Sequence, residues 1–401
     1  MTARSRLPVA RAAALGLIAV AALATGCSSS ASTPSAGRTS APPAGRTSGT
    51  VTPTSASADC GSAATCFTPS QLEVAYGVRP LLRRGIDGRG ETVVLPELAE
   101  SKLSPAVSDL RKDFAVYDRL FRLPAPRLAV VSTFPHPAHP WFAFGEEALD
   151  AEVVHAIAPR AALTIVLVKG NSLDSARQAV AASVAALRLG ASKGGIISLS
   201  PAGQIGGEHC VDHVQLARLN AALQDDADHH VTVVAATGDS GAAGEPCALI
   251  DALTGGISAS FRPRKEPILV ASEPLVLSAG GTTLNARRPA GTWTGETTWG
   301  LPDGSPGTSA SAPLWAGIIA LADQFAKRHL GFVNPAVYRI ARGSRYHQAF
   351  HDITAGPANT AKFRSATITG YRAGPGWDPV TGWGSPNAQV LVPLLDRYAT
   401  R

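Results

Sequence analysis

The alternation of apolar and amphipathic segments between residues 91 and 281 constrains the fold more than any other feature. Short segments that are apolar on both faces are typical of strands in a parallel sheet that helices cover on both sides. We therefore predict an α/β fold: a single domain with a mainly parallel sheet and helices on both of its faces. The segments predicted as strands are 91–95, 162–168, 195–200, 231–236, 267–271 and 275–281. Those predicted as helices are 145–158, 172–189, 214–227 and 312–325.

Composition limits the class of protein. Apolar residues make up 45% of the 401 residues and charged residues 16%, which supports a sizeable core and excludes wholesale disorder. The formal net charge is +6. The basic residues are scattered along the chain, and no basic run is typical of a nucleic-acid-binding arm, so we expect no nucleic-acid partner.

The N-terminus has the pattern of an export signal. Arg4, Arg6 and Arg11 precede an apolar run, 12–24, that is too short to span a bilayer. Small residues then precede Cys27, as in a bacterial lipobox, so we expect residues 1–26 to be a signal and Cys27 to be acylated. Plain cleavage and secretion is the alternative. Either outcome places the protein outside the cell, anchored to the outer face of the membrane or secreted.

The next segment predicts a tether, and the remaining cysteines predict disulfides. Residues 27–62 are rich in Ser, Thr, Pro and Gly, which favours a flexible linker ahead of a folded domain at 63–400. In an oxidising compartment the simplest pairing is Cys60 with Cys66 and Cys210 with Cys247, although spacing alone leaves the connectivity open.

The string at 307–317 contains the candidate nucleophile, Ser309. It combines a glycine turn with an apolar helix that has Pro313 in its first turn. The amides at such a helix N-terminus favour developing negative charge. An isolated Gly-Thr-Ser would more simply be a helix cap. The whole string, however, resembles the nucleophile segment that subtilisin-like and sedolisin peptidases share.

The candidate base is an acidic pair on the predicted helix 145–158. Glu146 and Asp150 are four residues apart and share the apolar, inward face that continues to Ile157. Burial and like-charge repulsion raise carboxyl pKa values, which suits acid–base chemistry. A solvated helix face is the alternative, and we assign Glu147 and Glu152 to such a face. The sequence lacks the His-Gly-Thr-His string of subtilisins, whereas the sedolisin helix carries its catalytic Glu and Asp at this spacing.

Asp239 follows the predicted strand 231–236 in the string Thr-Gly-Asp-Ser-Gly. Seen alone, this string is equally consistent with a turn. Sedolisins have an aspartate here, where subtilisin-type enzymes place an amide that donates to the oxyanion. A carboxyl group donates only when it is protonated, so the resemblance implies activity at acid pH.

A second cluster of acidic residues resembles the calcium site of sedolisins. Calcium prefers oxygen ligands, although aspartate-containing turns without metal are common. The resemblance implies one structural Ca²⁺ held by the side chains of Asp352 and Asp378 and the backbone oxygens of Ile353, Gly374 and Gly376.

The resemblance to sedolisins (serine-carboxyl peptidases) covers residues 66–395 and implies a subtilisin-like fold. It further implies a monomeric endopeptidase that cleaves peptides or proteins at acid pH with a Ser/Glu/Asp triad and an aspartate in the oxyanion hole. Two departures favour an alternative, a weak or inactive surface binding protein. No prodomain is evident, and the interval 285–306 is short where the family has a glycine-rich substrate loop and another strand. Hydrolysis of a non-peptide ester or amide is a third option.

Overall fold

The computed structural model describes residues 67–99, 108–135, 142–143, 146–169, 176–200, 206–244, 247, 264–299, 307–363 and 366–399. The predicted signal, Cys27, the tether and the Cys60–Cys66 pair lie outside these residues. Across the described ranges, no helix has both the length and the apolar character needed to cross a membrane.

The described elements alternate much as the sequence predicts. The helices are α1 (Pro69–Ala75), α2 (Arg79–Leu82), α3 (Leu110–Phe121), α4 (Glu146–Ile157), α5 (Ala176–Ala191), α6 (His213–Asp228), α7 (Leu269–Ser272), α8 (Ser311–Ala326), α9 (Asn334–Ala341), α10 (Tyr346–Ala349) and α11 (Ala388–Tyr398). The strands are β1 (Thr92–Ala99), β2 (Ser108–Asp109), β3 (Arg127–Ser132), β4 (Phe142–Ala143), β5 (Ala162–Lys169), β6 (Ile196–Leu199), β7 (Thr232–Ala236), β8 (Val276–Ala279), β9 (Thr282–Arg287), β10 (Thr292–Thr298), β11 (Phe350–His351), β12 (Ala361–Phe363), β13 (Ala366–Ile368) and β14 (Ser385–Pro386).

The central sheet has six strands in the order β3-β5-β1-β6-β7-β8, and every neighbouring pair is parallel. Alternate residues of β1 enter two apolar layers. Val93 and Leu95 face a layer that also contains α4, α8 and α11, whereas Val94 faces a layer that contains α5 and α6. The predicted α/β fold, with a mainly parallel sheet covered on both faces, is therefore confirmed.

The strand predicted at 267–271 is wrong: this segment forms the short helix α7. The sheet is instead extended at its other edge by β3, which the sequence did not suggest because its residues are exposed or only partly buried. The short interval 285–306 also contains a strand, β10, which pairs antiparallel with β9.

A buried carboxylate ties the β9–β10 hairpin to the rest of the domain. Glu296, on β10, is 7% exposed and accepts hydrogen bonds from Tyr76 Oη (3.0 Å), Thr282 Oγ1 (2.9 Å) and Trp293 Nε1 (3.0 Å), as well as from the Ser385 hydroxyl. These donors come from the residue that caps the end of α1, from the hairpin itself and from β14. A buried charge with several donors is satisfied rather than orphaned.

Candidate active site

The carboxyl end of the sheet collects the polar residues that the sequence singles out. Glu97 lies near the carboxyl end of β1, Ser200 follows β6, and Asp239 follows β7. On one side of the sheet, α4 begins with Glu146, and the turn before α8 carries Ser309. Because the carboxyl ends of parallel strands meet at one edge, this is where a site is expected in an α/β sheet.

Ser309 lies in a 3₁₀ turn, Thr308–Ala310, that leads directly into α8. The residue is 6% exposed, and its carbonyl oxygen accepts a hydrogen bond from the Ser200 hydroxyl at 3.3 Å. The body of α8 is fixed in the core because residues such as Ile318 and Leu321 are fully buried. A rigid helix therefore sets the position of the candidate nucleophile.

Glu146 contacts Ser309 through a hydrogen bond with the serine hydroxyl group. Burial raises the pKa of Glu146 to about 7; the hydrogen bond with the Ser309 hydroxyl opposes this rise, and repulsion by Asp239 adds to it. Glu146 Oε1 is buried without a hydrogen-bond partner. A general base must lie within hydrogen-bond reach of the nucleophile's proton, and the Glu146 carboxyl group lies in this position relative to the Ser309 hydroxyl.

Asp150 lies behind Glu146 and is fully buried. Burial first, and then repulsion by Glu146, raise its pKa well above the usual range; hydrogen bonding with Ser200 and Glu97 opposes this rise. Neither carboxylate oxygen of Asp150 has a hydrogen-bond partner with good geometry. Ser200 and Glu97 therefore lie near enough to affect the pKa of Asp150, although their hydrogen bonds to it are poorly aligned. Burial and repulsion thus favour the protonated form of Asp150.

Glu97 is a member of this cluster that the sequence prediction missed. It is fully buried, and burial followed by repulsion from Asp150 raises its pKa well above the usual range. The signal for it was a charged residue next to the apolar run 91–95, where β1 continues to Ala99 rather than ending at Leu95.

The prediction that Glu147 and Glu152 are surface residues is wrong, since they are 3% and 4% exposed. Their helix, α4, lies between the sheet and α1, α3 and α8, so it has no solvated face along most of its length. Burial raises the pKa of Glu152 to about 8, with further repulsion from Asp113 and Asp118. An amphipathic pattern cannot reveal a helix that is covered on every side.

Asp239 is hydrogen-bonded to the residue before the nucleophile. Its Oδ1 accepts from the Thr308 backbone N–H at 2.8 Å and from Thr308 Oγ1 at 2.9 Å, and Thr308 Oγ1 accepts from the Gly238 N–H at 3.0 Å. Gly307 makes room for this carboxylate: a Cβ there would lie 2.1 Å from Asp239 Oδ2. The structure thus brings Asp239, Glu146 and Ser309 together, and their catalytic roles stay predictions.

The residues of the predicted calcium site also converge. The Gly376 N–H donates to Asp352 Oδ2 at 3.0 Å, and the Gly374 N–H donates to Asp378 Oδ2 at 3.2 Å. Thr381 joins the two loops, since its hydroxyl lies 2.7 Å from Asp378 Oδ2 and 3.4 Å from the carbonyl oxygen of Ile353.

One atom of this second cluster tests whether a cation fits. Asp352 Oδ1 is buried and has no hydrogen-bond partner. A buried, unpartnered carboxylate oxygen beside a second carboxylate and a backbone carbonyl suits a hard divalent cation. The residues present therefore fit calcium.

The predicted Cys210–Cys247 disulfide is confirmed, with a Cα–Cα distance of 5.2 Å. It joins the segment before α6 to the segment that follows β7 and Asp239. The disulfide thus ties together two connections that leave the carboxyl end of the sheet.

Known proteins resemble this chain in sequence and in fold. No family model matches the chain. It is 28% identical over 398 aligned positions to kumamolisin from Bacillus sp. (strain MN-32), which covers 83% of this chain and 64% of kumamolisin. It is 37% identical over 93 residues to human tripeptidyl-peptidase 1, which covers 22% of this chain and 16% of that protein. The chain thus spans less than two thirds of the length of these relatives.

The fold has a counterpart among solved structures. A structure of Pseudomonas sedolisin, a serine-carboxyl proteinase, complexed with two molecules of pseudo-iodotyrostatin superposes with a TM-score of 0.60 at 17% identity, covering 84% of this chain and all of that one. At this identity the match establishes the fold. The chain has the subtilisin-like fold of Pseudomonas sedolisin and is similar in sequence to kumamolisin and tripeptidyl-peptidase 1.

Proposed function

We propose that this protein is a serine-carboxyl endopeptidase that hydrolyses peptide bonds of extracellular peptides or proteins at acid pH. The contact between the Ser309 hydroxyl and the Glu146 carboxyl group carries the proposal, because it sets a proton acceptor beside the nucleophile within a buried cluster of carboxyl groups. A carboxyl group in this position can both accept and return a proton.

In the proposed reaction, Ser309 Oγ attacks the carbonyl carbon of the scissile bond while its proton passes to Glu146. Glu146 then delivers this proton to the leaving amine nitrogen, and a water molecule repeats the sequence on the acyl-enzyme. Asp150 keeps its proton because of burial and repulsion, so it is suited to donate a hydrogen bond to ionised Glu146. Glu97, protonated for the same reasons, supports Asp150 from β1.

Asp239 is the proposed donor to the oxyanion. Its Oδ1 accepts two hydrogen bonds from Thr308. In the proposal, Oδ2 therefore carries the proton that is donated to the substrate oxygen. A protonated carboxyl group can donate in this way, whereas a carboxylate would repel the oxyanion. The proposed oxyanion donor is therefore the protonated form of Asp239.

Calcium has a structural part in the proposal. Asp352 and Asp378 would hold it through their side chains, and Ile353, Gly374 and Gly376 through backbone oxygens. When bound, the ion would fix the loops that follow α10 against one another. No step of peptide hydrolysis depends on it.

Peptide cleavage at several pH values tests the proposal. The protein would be incubated with a peptide library from pH 3 to 7 with calcium present, beside Ser309→Ala and Glu146→Gln. Ser311→Ala, two residues along the same helix start, is the matched control. We expect cleavage at acid pH that both site variants abolish and the control retains.

The alternative of an inert surface binding protein is less well supported. A binding scaffold has no physical need for a nucleophile, a base and a buried acidic cluster in contact, since buried carboxyl groups cost stability. Absence of cleavage by a folded protein would contradict the peptidase proposal and favour the alternative. Cleavage that survives Ser309→Ala would instead contradict the role of Ser309 as the nucleophile.

Export and lipidation at Cys27 are further proposals that rest on the sequence. Metabolic labelling with a radioactive fatty acid would test them, with Cys27→Ser as the comparison. Label on the wild type alone supports an anchored protein; label on neither indicates plain secretion.

A further inference from the structure

A histidine lies directly against the disulfide. His209 Nε2 is 3.6 Å from Cys210 Sγ and 3.6 Å from Cys247 Sγ, so the same nitrogen faces both sulfur atoms. Neither the proposed peptidase chemistry nor the packing of the sheet uses this ring. The contact places a proton-carrying group within reach of whichever sulfur leaves when the S–S bond breaks.

Glu266 fixes the orientation of that ring. Its carboxylate lies 2.9–3.0 Å from His209 Nδ1. The carboxylate itself is held in a notch between Gly207 and Gly244, where a Cβ would lie 2.5 Å and 2.7 Å from Glu266 atoms. Since Nδ1 donates to Glu266, Nε2 is left to face the sulfurs, either as an acceptor or, in a protonated ring, as a donor.

The group is open to small molecules. The side chains of His209 and Glu266 are 29% and 20% exposed, and both cysteines are partly buried rather than enclosed. A disulfide that served only to staple the fold would need neither this exposure nor a carboxylate-oriented histidine. Reactive cysteines in general occur in partly exposed sites next to a cationic group.

We propose that Cys210, Cys247, His209 and Glu266 form a thiol–disulfide exchange site whose substrates are small thiols. A thiolate RS⁻ attacks one sulfur, a new R–S–S bond forms, and the electron pair of the broken S–S bond passes to the other sulfur. That sulfur takes a proton from His209 Nε2. A second RS⁻ attacks the small thiol's sulfur in the mixed disulfide, releases RSSR, and the second cysteine sulfur is protonated in turn. Two RSH thus become RSSR, and the disulfide becomes two thiols.

His209 acts in this scheme on the leaving group. Exchange is faster when the leaving thiolate is stabilised, and a neighbouring protonated histidine stabilises it. Among other charged groups nearby, Lys265 lies over the ring of Tyr371 at 3.6 Å, and Asp212 caps α6 and faces Arg177. Glu266 is therefore the charged group that contacts His209 within the described part of the chain.

The rate of reduction of the whole protein by glutathione tests the site. Alkylation and peptide mass spectrometry would follow Cys210 and Cys247 individually, so that any other cysteines do not interfere. We expect the wild type to be reduced about tenfold faster than His209→Gln at pH 6, with rates divided by the glutathione thiolate concentration. Glu266→Gln should give an intermediate rate.

The control is His213→Gln, which removes an exposed histidine three residues from Cys210 and should react as the wild type does. Partial unfolding would expose the disulfide and speed its reduction, so it cannot imitate the expected slowing. Rates at pH 6 that are equal to or above wild type in both His209→Gln and Glu266→Gln would overturn the proposal. So would equal slowing in His213→Gln. Peptide cleavage plays no part in this readout.

Discussion

Gly307 and Asp239 are in direct contact: a methyl group at residue 307 would lie 2.1 Å from Asp239 Oδ2. We predict that Gly307→Ala displaces this carboxylate from Thr308 and lowers kcat about 10²-fold or more, as loss of an oxyanion donor does. Gly295→Ala is the matched control, because a Cβ there meets no atom within 4 Å. Peptide hydrolysis and thermal melting would be measured together. Unchanged kcat in Gly307→Ala would contradict the role of Asp239.

Asp239→Asn should change the pH dependence rather than the fold. Asparagine keeps an oxygen for the Thr308 N–H and adds an NH₂ donor that does not titrate. Because the amide donor does not depend on pH, kcat/KM of the variant should persist to higher pH than kcat/KM of the wild type, whatever the absolute rate. A profile whose alkaline limb does not move would show that another group sets this limb.

The buried acids predict a protein that is more stable in acid than at neutral pH. Burial raises the pKa of Asp323 to about 8 and that of Asp226 to about 7. When the pKa of a carboxyl group is higher in the folded state than in the unfolded state, its contribution to the free energy of unfolding is fully present below the unfolded-state pKa, near 4. This contribution is lost as the pH rises towards the folded-state pKa, here about 8. The free energy of unfolding, measured with urea at pH 5 and pH 8, should be lower at pH 8.

Asp323→Asn checks this prediction at one residue. The Leu330 N–H donates to Asp323 Oδ1 at 3.0 Å, and the amide oxygen can replace that acceptor, while Oδ2 is buried without a partner. The variant should be more stable than the wild type at pH 8 but not at pH 4. Between these pH values, the difference in free energy of unfolding should grow by up to roughly 1.4 kcal/mol per pH unit. Asp228→Asn, on the exposed side of α6, should leave the pH dependence as it is.

Calcium should raise the melting temperature. A ligand at a hundred times its Kd stabilises the folded state by about 2.7 kcal/mol. Asp352→Asn should abolish the shift, because it weakens the buried oxygen that lacks a partner. Asp396→Asn, a carboxyl group that faces Arg328, is the control and should keep the shift. Equal shifts in both variants would place the ion elsewhere.

The sequence predicts the sheet well where burial is continuous. The segments 162–168 and 231–236 are apolar at almost every residue, and the structure has them as β5 and β7. The segment 267–271 is equally apolar but short, and a short apolar run does not distinguish a strand from a buried helical turn. β3 was missed for the opposite reason, since an edge strand that is partly exposed lacks a continuous apolar signal.

The site was predictable as far as spacing on one element allows. Glu146 and Asp150 share a helix face, so their proximity follows from geometry. Their contact with Glu97 does not, because β1 and α4 are separated by nearly fifty residues and only the tertiary fold sets them together. The environment of Glu152 was misjudged in the same way: its burial depends on three neighbouring helices that no local pattern describes.

Glu296 has a consequence for the order in which the chain can fold. Its hydrogen bonds reach Tyr76, 220 residues earlier, and Ser385, 89 residues later. Contacts so distant along the chain carry a large loop-closure cost and form late. Until these contacts form, docking of the β9–β10 hairpin would bury the Glu296 carboxylate without all of its hydrogen-bond donors, which is unfavourable. Completion of the domain is thus a concerted event that needs residues 76 and 385 together.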